Sequence, residues 1–375
     1  MMKHLFLYTL LCVIPMQALH SEEHKTLRER GFPVGIFETG PYNAITDVPG
    51  VTVGHVTCME GDSIRTGVTA IVPHQGNLFQ EKVPAAIYIG NGFGKLAGYT
   101  QVKELGNIET PIVLTNTLSV AAGMEGVIRY TLEQPGNEHV RSVNAVVGET
   151  NDGRLNKIGQ LYITPQMVID AIHSAKGGPV EQGCVGAGTG TIAFGFKGGI
   201  GTSSRKLPAL LGGYTIGVLT QTNYGGILEI DGRPIGQLLH KHDFIRHVKR
   251  HENVDGSCMM VVITDAPVDS RNLERIAKRA MMGLAKTGGI ASNGSGDYVI
   301  ALSVAPQNLI PSNASMLSNT VLSNAEMSPI FAATIEATAE ALWNSLFMAE
   351  SMDGYQGSHV DALPVQKVLQ LLRAH

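Results

Sequence analysis

The sequence predicts an α+β or layered α/β fold built on mixed sheets, and three observations lead there. Strand-like runs of β-branched residues alternate with helical patterns, as in proteins that pack helices on sheets. Many of those strands come in pairs with no helix between them, which argues against a pure βαβ barrel. Glycine, 44 of 375 residues, has no collagen-like period and clusters in groups such as Gly177-Gly178, Gly198-Gly199 and Gly225-Gly226. Such clusters mark tight turns and close backbone approaches. At 43% hydrophobic residues the chain suffices for one large domain or two ordinary ones.

The N-terminus sets Lys3 and His4 before an apolar stretch, Leu5 to Ile14, and polar residues follow. This is the pattern of a signal peptide, too short to span a bilayer well. Cleavage after Ala18 or near Ser21 is expected, leaving residues 21–375 as one exported domain, periplasmic or secreted. Cys12 lacks a small residue before it, so no lipid anchor is expected. A mobile segment, Ser21 to Arg30, precedes the first strands.

"ITDVPGVTVGHVT" (45–57) reads as strand–turn–strand around Pro-Gly. "GVTAIVPH" and "VPAAIYIGN" read as buried strands, and "LAGYTQVKELG" as a helix closed by Gly. "TPIVLTNT" is a strand, "VAAGMEGVIRYTLEQ" a helix closed by Pro135-Gly136, and "VNAVVGETNDG" a strand entering a polar loop. "TPQMVIDAIHSAKGG" opens on a Thr cap and stops at paired glycines. "GTIAFGFKGGIGTSSRKL" and "YTIGVLTQTNYGG" form a hairpin-like sheet region. Composition then shifts: 240–255 holds four of the 13 histidines and almost no apolar face. His247 and His251 are four apart, but no Cys, Asp or Glu completes a convincing ligand set, so the segment reads as a solvated linker. Strand 258–264, helix 268–286, a turn-rich "TGGIASNGSGD", strand 298–304, a Ser/Asn-rich loop and a helix near 329–349 complete the chain.

Several functions are disfavoured. A net charge of -4 and the absence of interleaved basic and aromatic residues speak against nucleic acid or an anionic membrane as partner. After the N-terminal stretch no apolar run reaches membrane length. "GTGTIAFG" precedes a strand rather than a helix, so it is not a dinucleotide loop, and no phosphate-loop, zinc-protease or nucleophile-elbow motif is present. The mature chain keeps Cys58, Cys184 and Cys258, an odd number without metal spacing, expected as buried free thiols. No metal or cofactor is expected.

"NVDGSCMMVVITDAP" (253–267) carries the chemistry. Alone, Asp255-Gly256-Ser257 is a turn. Placed between a polar linker and a buried strand, Gly256-Ser257 fits another arrangement. The serine hydroxyl attacks the preceding carbonyl through a five-membered ring, and water then cleaves the ester. Glycine offers that attack no Cβ. Ser257 becomes an N-terminus whose amine, ordinarily titrating at about 7.7–8.0, can serve as a base beside its own hydroxyl.

The stretch "DGSCMMVVITDAPVDSRNLERIAKRAMMGLAKTGGIASNGSGDYVIALS" resembles the nucleophile region of peptidase family P1, the DmpA-like D-aminopeptidases and β-peptidyl aminopeptidases. The likeness extends through "ITDVPGVTVGHVT", "RTGVTAIVP", "NGFGKLAGYTQVKELGNIETPIVLTNTLSV", "GETNDG" and "EATAEALWNSLFMAESMDG", nearly all of residues 30–365. It implies a layered αββα sandwich, autocleavage into chains 21–256 and 257–375 that stay together, metal-free amide hydrolysis and a homo-oligomer, a tetramer in relatives. It implies Ser257 as nucleophile, Ser295 and Asp297 as groups that orient and charge-balance it, and Asn223 as oxyanion donor. Glu149 would hold the ammonium of a small peptide or amide with a free N-terminus. At Asn151 some relatives carry a tyrosine thought to assist the oxyanion, so that contribution changes here. Apart from the resemblance, Asn223 and Glu149 satisfy backbone groups beside glycine turns, and Ser295 and Asp297 sit in an Asn-Gly hairpin loop. Cys258 points away from Ser257 on a common strand and serves packing. Two rival readings are an acyltransferase of the related ornithine acetyltransferase group, which uses threonine at the junction, and a secreted binding protein with a degenerate site.

Overall fold

The computed structural model of the chain describes residues 24–245 and 255–374. The expected signal peptide and the His247/His251 pair lie outside the described residues. Two sheets form the centre. In one, Thr52–Glu60, Ile64–Val72 and Ile112–Asn116 run antiparallel, and Val146–Thr150 joins the last in parallel. The larger sheet runs in the order Ile310–Pro311, Glu81–Gly92, Gly294–Ser303, Asp255–Thr264, Thr215–Asn223, Ile200–Lys206. Its central pair, Asp255–Thr264 and Gly294–Ser303, is parallel, which requires a crossover. Helix Ser270–Lys286 supplies it, opened by the Asp269 carboxylate accepting from the Asn272 amide at 2.9 Å.

Side-chain alternation on the central strand sorts the two cores. Met259, Val261 and Ile263 pack toward the smaller sheet with Val113, Val147 and Ile71. Cys258, Met260 and Val262 pack with Ile276, Ala280, Ala337 and Trp343 of the helices Ser270–Lys286 and Met327–Phe347. Helices Val120–Leu132 and Pro165–His173 cover the other side of the smaller sheet. The result is the αββα sandwich that the resemblance implied. The sheets touch at Gly148, where an added Cβ would stand 2.4 Å from Met259 Cε.

Four expectations change. "ITDVP" is a 3-10 turn, Ile45–Asp47, because the Asp47 carboxylate accepts from the Tyr42 and Ala44 amides and from Ser204 Oγ. The described part of the segment expected to be mobile, 24–30, is anchored: Leu27 is fully buried and Arg28 pairs with Glu340 at 3.0 Å. Arg205, fully buried, holds the next stretch by donating to Val34 O, Glu336 and Glu340, so its charge is satisfied inside the protein. "GSGD" is not a loop, since the strand already starts at Gly294. Cys58 and Cys258 are buried free thiols, but Cys184 is only half-buried.

Candidate active site

Three neighbouring strands of the larger sheet have their ends side by side. The start of Asp255–Thr264 lies between the end of Thr215–Asn223 and the start of Gly294–Ser303. Asn223 therefore stands directly opposite Ser257, and Gly256 beside Ser295. Opposite residues of an antiparallel pair share a face. Ser257 and Asn223 both point between the sheets, the face that Met259 and Leu219 also occupy.

Ser257 is 4% exposed, and its Oγ donates to the carbonyl oxygen of Gly256 at 2.5 Å. The hydroxyl thus already lies against the peptide group it would have to attack. Gly256 has no unusual φ; its lack of a side chain matters because a Cβ would stand 3.1 Å from Ser295 Oγ and 3.4 Å from Tyr224 Cα. Asn223 Oδ1 accepts from the Ile192 amide at 3.0 Å, which fixes the carboxamide. Its Nδ2 makes no hydrogen bond among the described residues. Gln221, two residues earlier on the same face, donates to Thr115 O, Thr150 Oγ1 and Ala187 O and ties this strand to the smaller sheet.

A cavity of about 360 Å³ opens in front of Ser257. Gly256, Ser257, Glu149 and Asn151 line it together, with Lys95 and Thr117. Glu149 is the last residue but one of the strand Val146–Thr150 and is 2% exposed. Its Oε1 accepts from the Lys95 amide at 2.9 Å and lies 3.6 Å from Lys95 Nζ. The chain passes this close because residue 94 is glycine: a Cβ there would stand 2.9 Å from Oε1. Asn151 Oδ1 is occupied by the Gly153 amide at 2.9 Å.

Ser295 and Asp297 do not line this cavity. They occupy the helix-facing side, beside Gly256 and Cys258 respectively, and are essentially buried. Ser295 Oγ donates to Asp297 Oδ1 at 2.8 Å, while Oδ2 has no hydrogen-bond partner among the described residues. Burial pushes the Asp297 carboxyl up to about 6; the Ser295 hydroxyl and the Cys258 amide hold it back. Burial, and then the nearby Asp297 charge, push the Cys258 thiol well up, so it is a poor nucleophile as well as turned away from the cavity.

Sequence reasoning missed Lys95, Thr117 and Asn91. Asn91 Nδ2 donates to the carbonyls of Ser292 and Ser295 and clamps the turn that leads to Ser295. All three sit at strand ends or in loops with no periodic pattern; only the exposed charge of Lys95 within "NGFGK" was a signal to read. Among the described residues no His, Cys, Asp and Glu cluster could hold a metal ion, and no helix is long and apolar enough to cross a membrane.

Known proteins share this architecture and much of this sequence. Over 377 residues the chain is 34% identical to the β-peptidyl aminopeptidase BapA of Sphingosinicella microcystinivorans, covering 95% of this chain and 93% of that protein. The PH0078 protein of Pyrococcus horikoshii OT3 superposes with a TM-score of 0.86 at 43% identity, covering 93% of this chain and 99% of that one. The L-aminopeptidase D-Ala-esterase/amidase of Ochrobactrum anthropi, described as a variant of the Ntn hydrolase fold, superposes with a TM-score of 0.83 at 33% identity, covering 93% and 98%. Residues 43–360 match peptidase family S58, in agreement with the resemblance read from the sequence, and the chain belongs to that family.

Proposed function

We propose that this protein is a self-cleaving serine aminopeptidase acting on short peptides or amides with a free N-terminus. The observation that carries the reading is the contact of Ser257 Oγ with the Gly256 peptide, in a cavity that also exposes the buried Glu149. In the first step Ser257 Oγ bonds to the Gly256 carbonyl carbon, the C–N bond breaks, and the hydroxyl proton passes to the departing nitrogen. Water then splits the ester, leaving a carboxylate on Gly256 and an α-amine on Ser257. That amine forms beside Ser295, whose hydroxyl donates to Asp297, so the cation that arises when the amine takes up a proton during the attack stands near the buried carboxylate.

Turnover then follows from the same groups. The amine takes the proton of Ser257 Oγ as it attacks the substrate carbonyl. Asn223 Nδ2, held by Ile192, donates to the oxyanion. Glu149 accepts the substrate ammonium through a charge-assisted hydrogen bond and so fixes the distance from N-terminus to scissile carbonyl. Residues 1–20 fit a leader for export. The test is to compare peptide p-nitroanilides with free and acetylated N-termini. The free forms should be hydrolysed and the acetylated forms nearly inert; comparable rates would make the protein a general amidase instead.

A further inference from the structure

Glu149 does not stand alone in the cavity. Among the described residues that line it, Lys95 and Glu149 are the charged ones, so the described lining carries no net charge. Lys95 Nζ lies 3.6 Å from Glu149 Oε1, and that oxygen also accepts the Lys95 amide. Oε2 makes no hydrogen bond among the described residues. The two side chains differ in freedom: Glu149 is 2% exposed and Lys95 53%, so the carboxylate is fixed and the ammonium can shift at the rim.

A lone ammonium held by Glu149 is also repelled by Lys95, so the pair binds it less tightly than the carboxylate alone would. The pair is a good receptor for an ammonium and a carboxylate carried side by side. With the ligand ammonium on Oε2 and its carboxylate on Lys95 Nζ, charges alternate around a ring of four and every neighbour attracts. We propose that Lys95 and Glu149 form a subsite for an amino-acid head group, so that the favoured substrates begin with a β-aspartyl residue. This rests on the reading of Glu149 as the ammonium acceptor.

The chemistry of the substrate follows from the head group. In an ordinary peptide the carboxyl on the amine-bearing carbon is the scissile one, so no carboxylate remains there. It remains when the peptide bond is made through the side-chain carboxyl. A β-aspartyl residue then places one CH₂ between the amine-bearing carbon and the scissile carbonyl, which is the spacing of a β-amino acid. The relative that is 34% identical is named a β-peptidyl aminopeptidase, so that spacing suits a site of this architecture. In the reaction Ser257 Oγ bonds to the side-chain carbonyl carbon and the C–N bond breaks. The amine leaves with the proton, and water releases free aspartate.

The experiment compares β-aspartyl p-nitroanilide with its α-carboxamide, which has the same shape and spacing but no negative charge. The wild type should favour the carboxylate form in kcat/KM by about tenfold or more, the scale of one charge-assisted contact. Lys95→Met should remove most of that preference, and Lys95→Arg should retain it. A wild type that favours the carboxamide, or a ratio unmoved by Lys95→Met, overturns the head-group subsite and leaves the aminopeptidase reading intact. No turnover of either compound by the cleaved wild type overturns the head-group subsite as well; the aminopeptidase reading falls only if peptide p-nitroanilides with free N-termini are not hydrolysed either.

Discussion

Asp297 offers a quantitative check on the electrostatics of the intact chain. It is fully buried, its Oδ2 has no partner, and no cation pairs with it among the described residues. Its carboxyl is raised from the ordinary 3.8 to about 6 by burial. A folded value above the unfolded one means that the native state holds the proton more tightly. Stability on this account is greatest below pH 3.8, is lost as pH rises through about 6, and stays lower above it. A shift of about 2 units corresponds to about 3 kcal/mol of ionisation penalty at high pH, an order-of-magnitude figure. Asp297→Asn keeps an oxygen for the Ser295 hydroxyl and removes the charge. Made in a Ser257→Ala chain, so that both proteins stay uncut, it should unfold in urea with up to about 3 kcal/mol more stability at pH 8. At about pH 4 the two should be nearly equal, because Asp297 is then largely protonated. A difference that is the same at both pH values, or an Asn variant less stable at pH 8, would refute the reasoning.

Other outcomes follow from the cavity. Asn223→Ala should lower kcat by about 10²–10³ with a smaller change in KM, measured on a free-amine anilide, as for the loss of one oxyanion donor; an effect mainly on KM would move Asn223 to ground-state binding. Glu149→Gln should still be cut at Gly256–Ser257 but lose most of its preference for free over acetylated N-termini. Prolonged dialysis against a chelator should leave the activity unchanged, whereas a serine-directed acylating reagent should abolish it.

Much of the fold was legible because its elements are locally consistent. The run Met259–Thr264 is continuously apolar or β-branched, as a strand buried on both faces must be. The helices announce themselves by caps: Thr164, which accepts from the Met167 amide, and Gly106 at φ 68. Where the sequence misleads, a side chain from elsewhere decides. Ile45–Asp47 has strand composition, but the Asp47 carboxylate turns the backbone toward Ser204, which lies far away along the chain. "NGSG" carries a turn signal, yet Gly294 begins a strand because the parallel ladder to Asp255 reaches that far.

The site was legible to a lesser degree. Gly256-Ser257 is a chemical motif in its own right once it abuts a strand. Glu149 and Asn223 could be assigned roles only through the family likeness, since each looks locally like a polar residue beside a turn. The pairing of Lys95 with Glu149 joins residues of separate segments and depends on the bare backbone of Gly94, which no periodicity records. The division of the predicted set between two faces of one sheet, Ser257 and Asn223 toward the cavity and Ser295 and Asp297 toward the helices, follows from strand register, which composition does not reveal.

The central claim is the cut between Gly256 and Ser257, and intact-mass measurement with N-terminal sequencing tests it most directly. Purified wild type should resolve under denaturing conditions into two chains, one ending at Gly256 and one beginning Ser-Cys-Met-Met, while Ser257→Ala remains a single chain without activity. A wild type that stays whole yet hydrolyses peptides, or a Ser257→Ala chain that is still cut at this bond, would contradict the account.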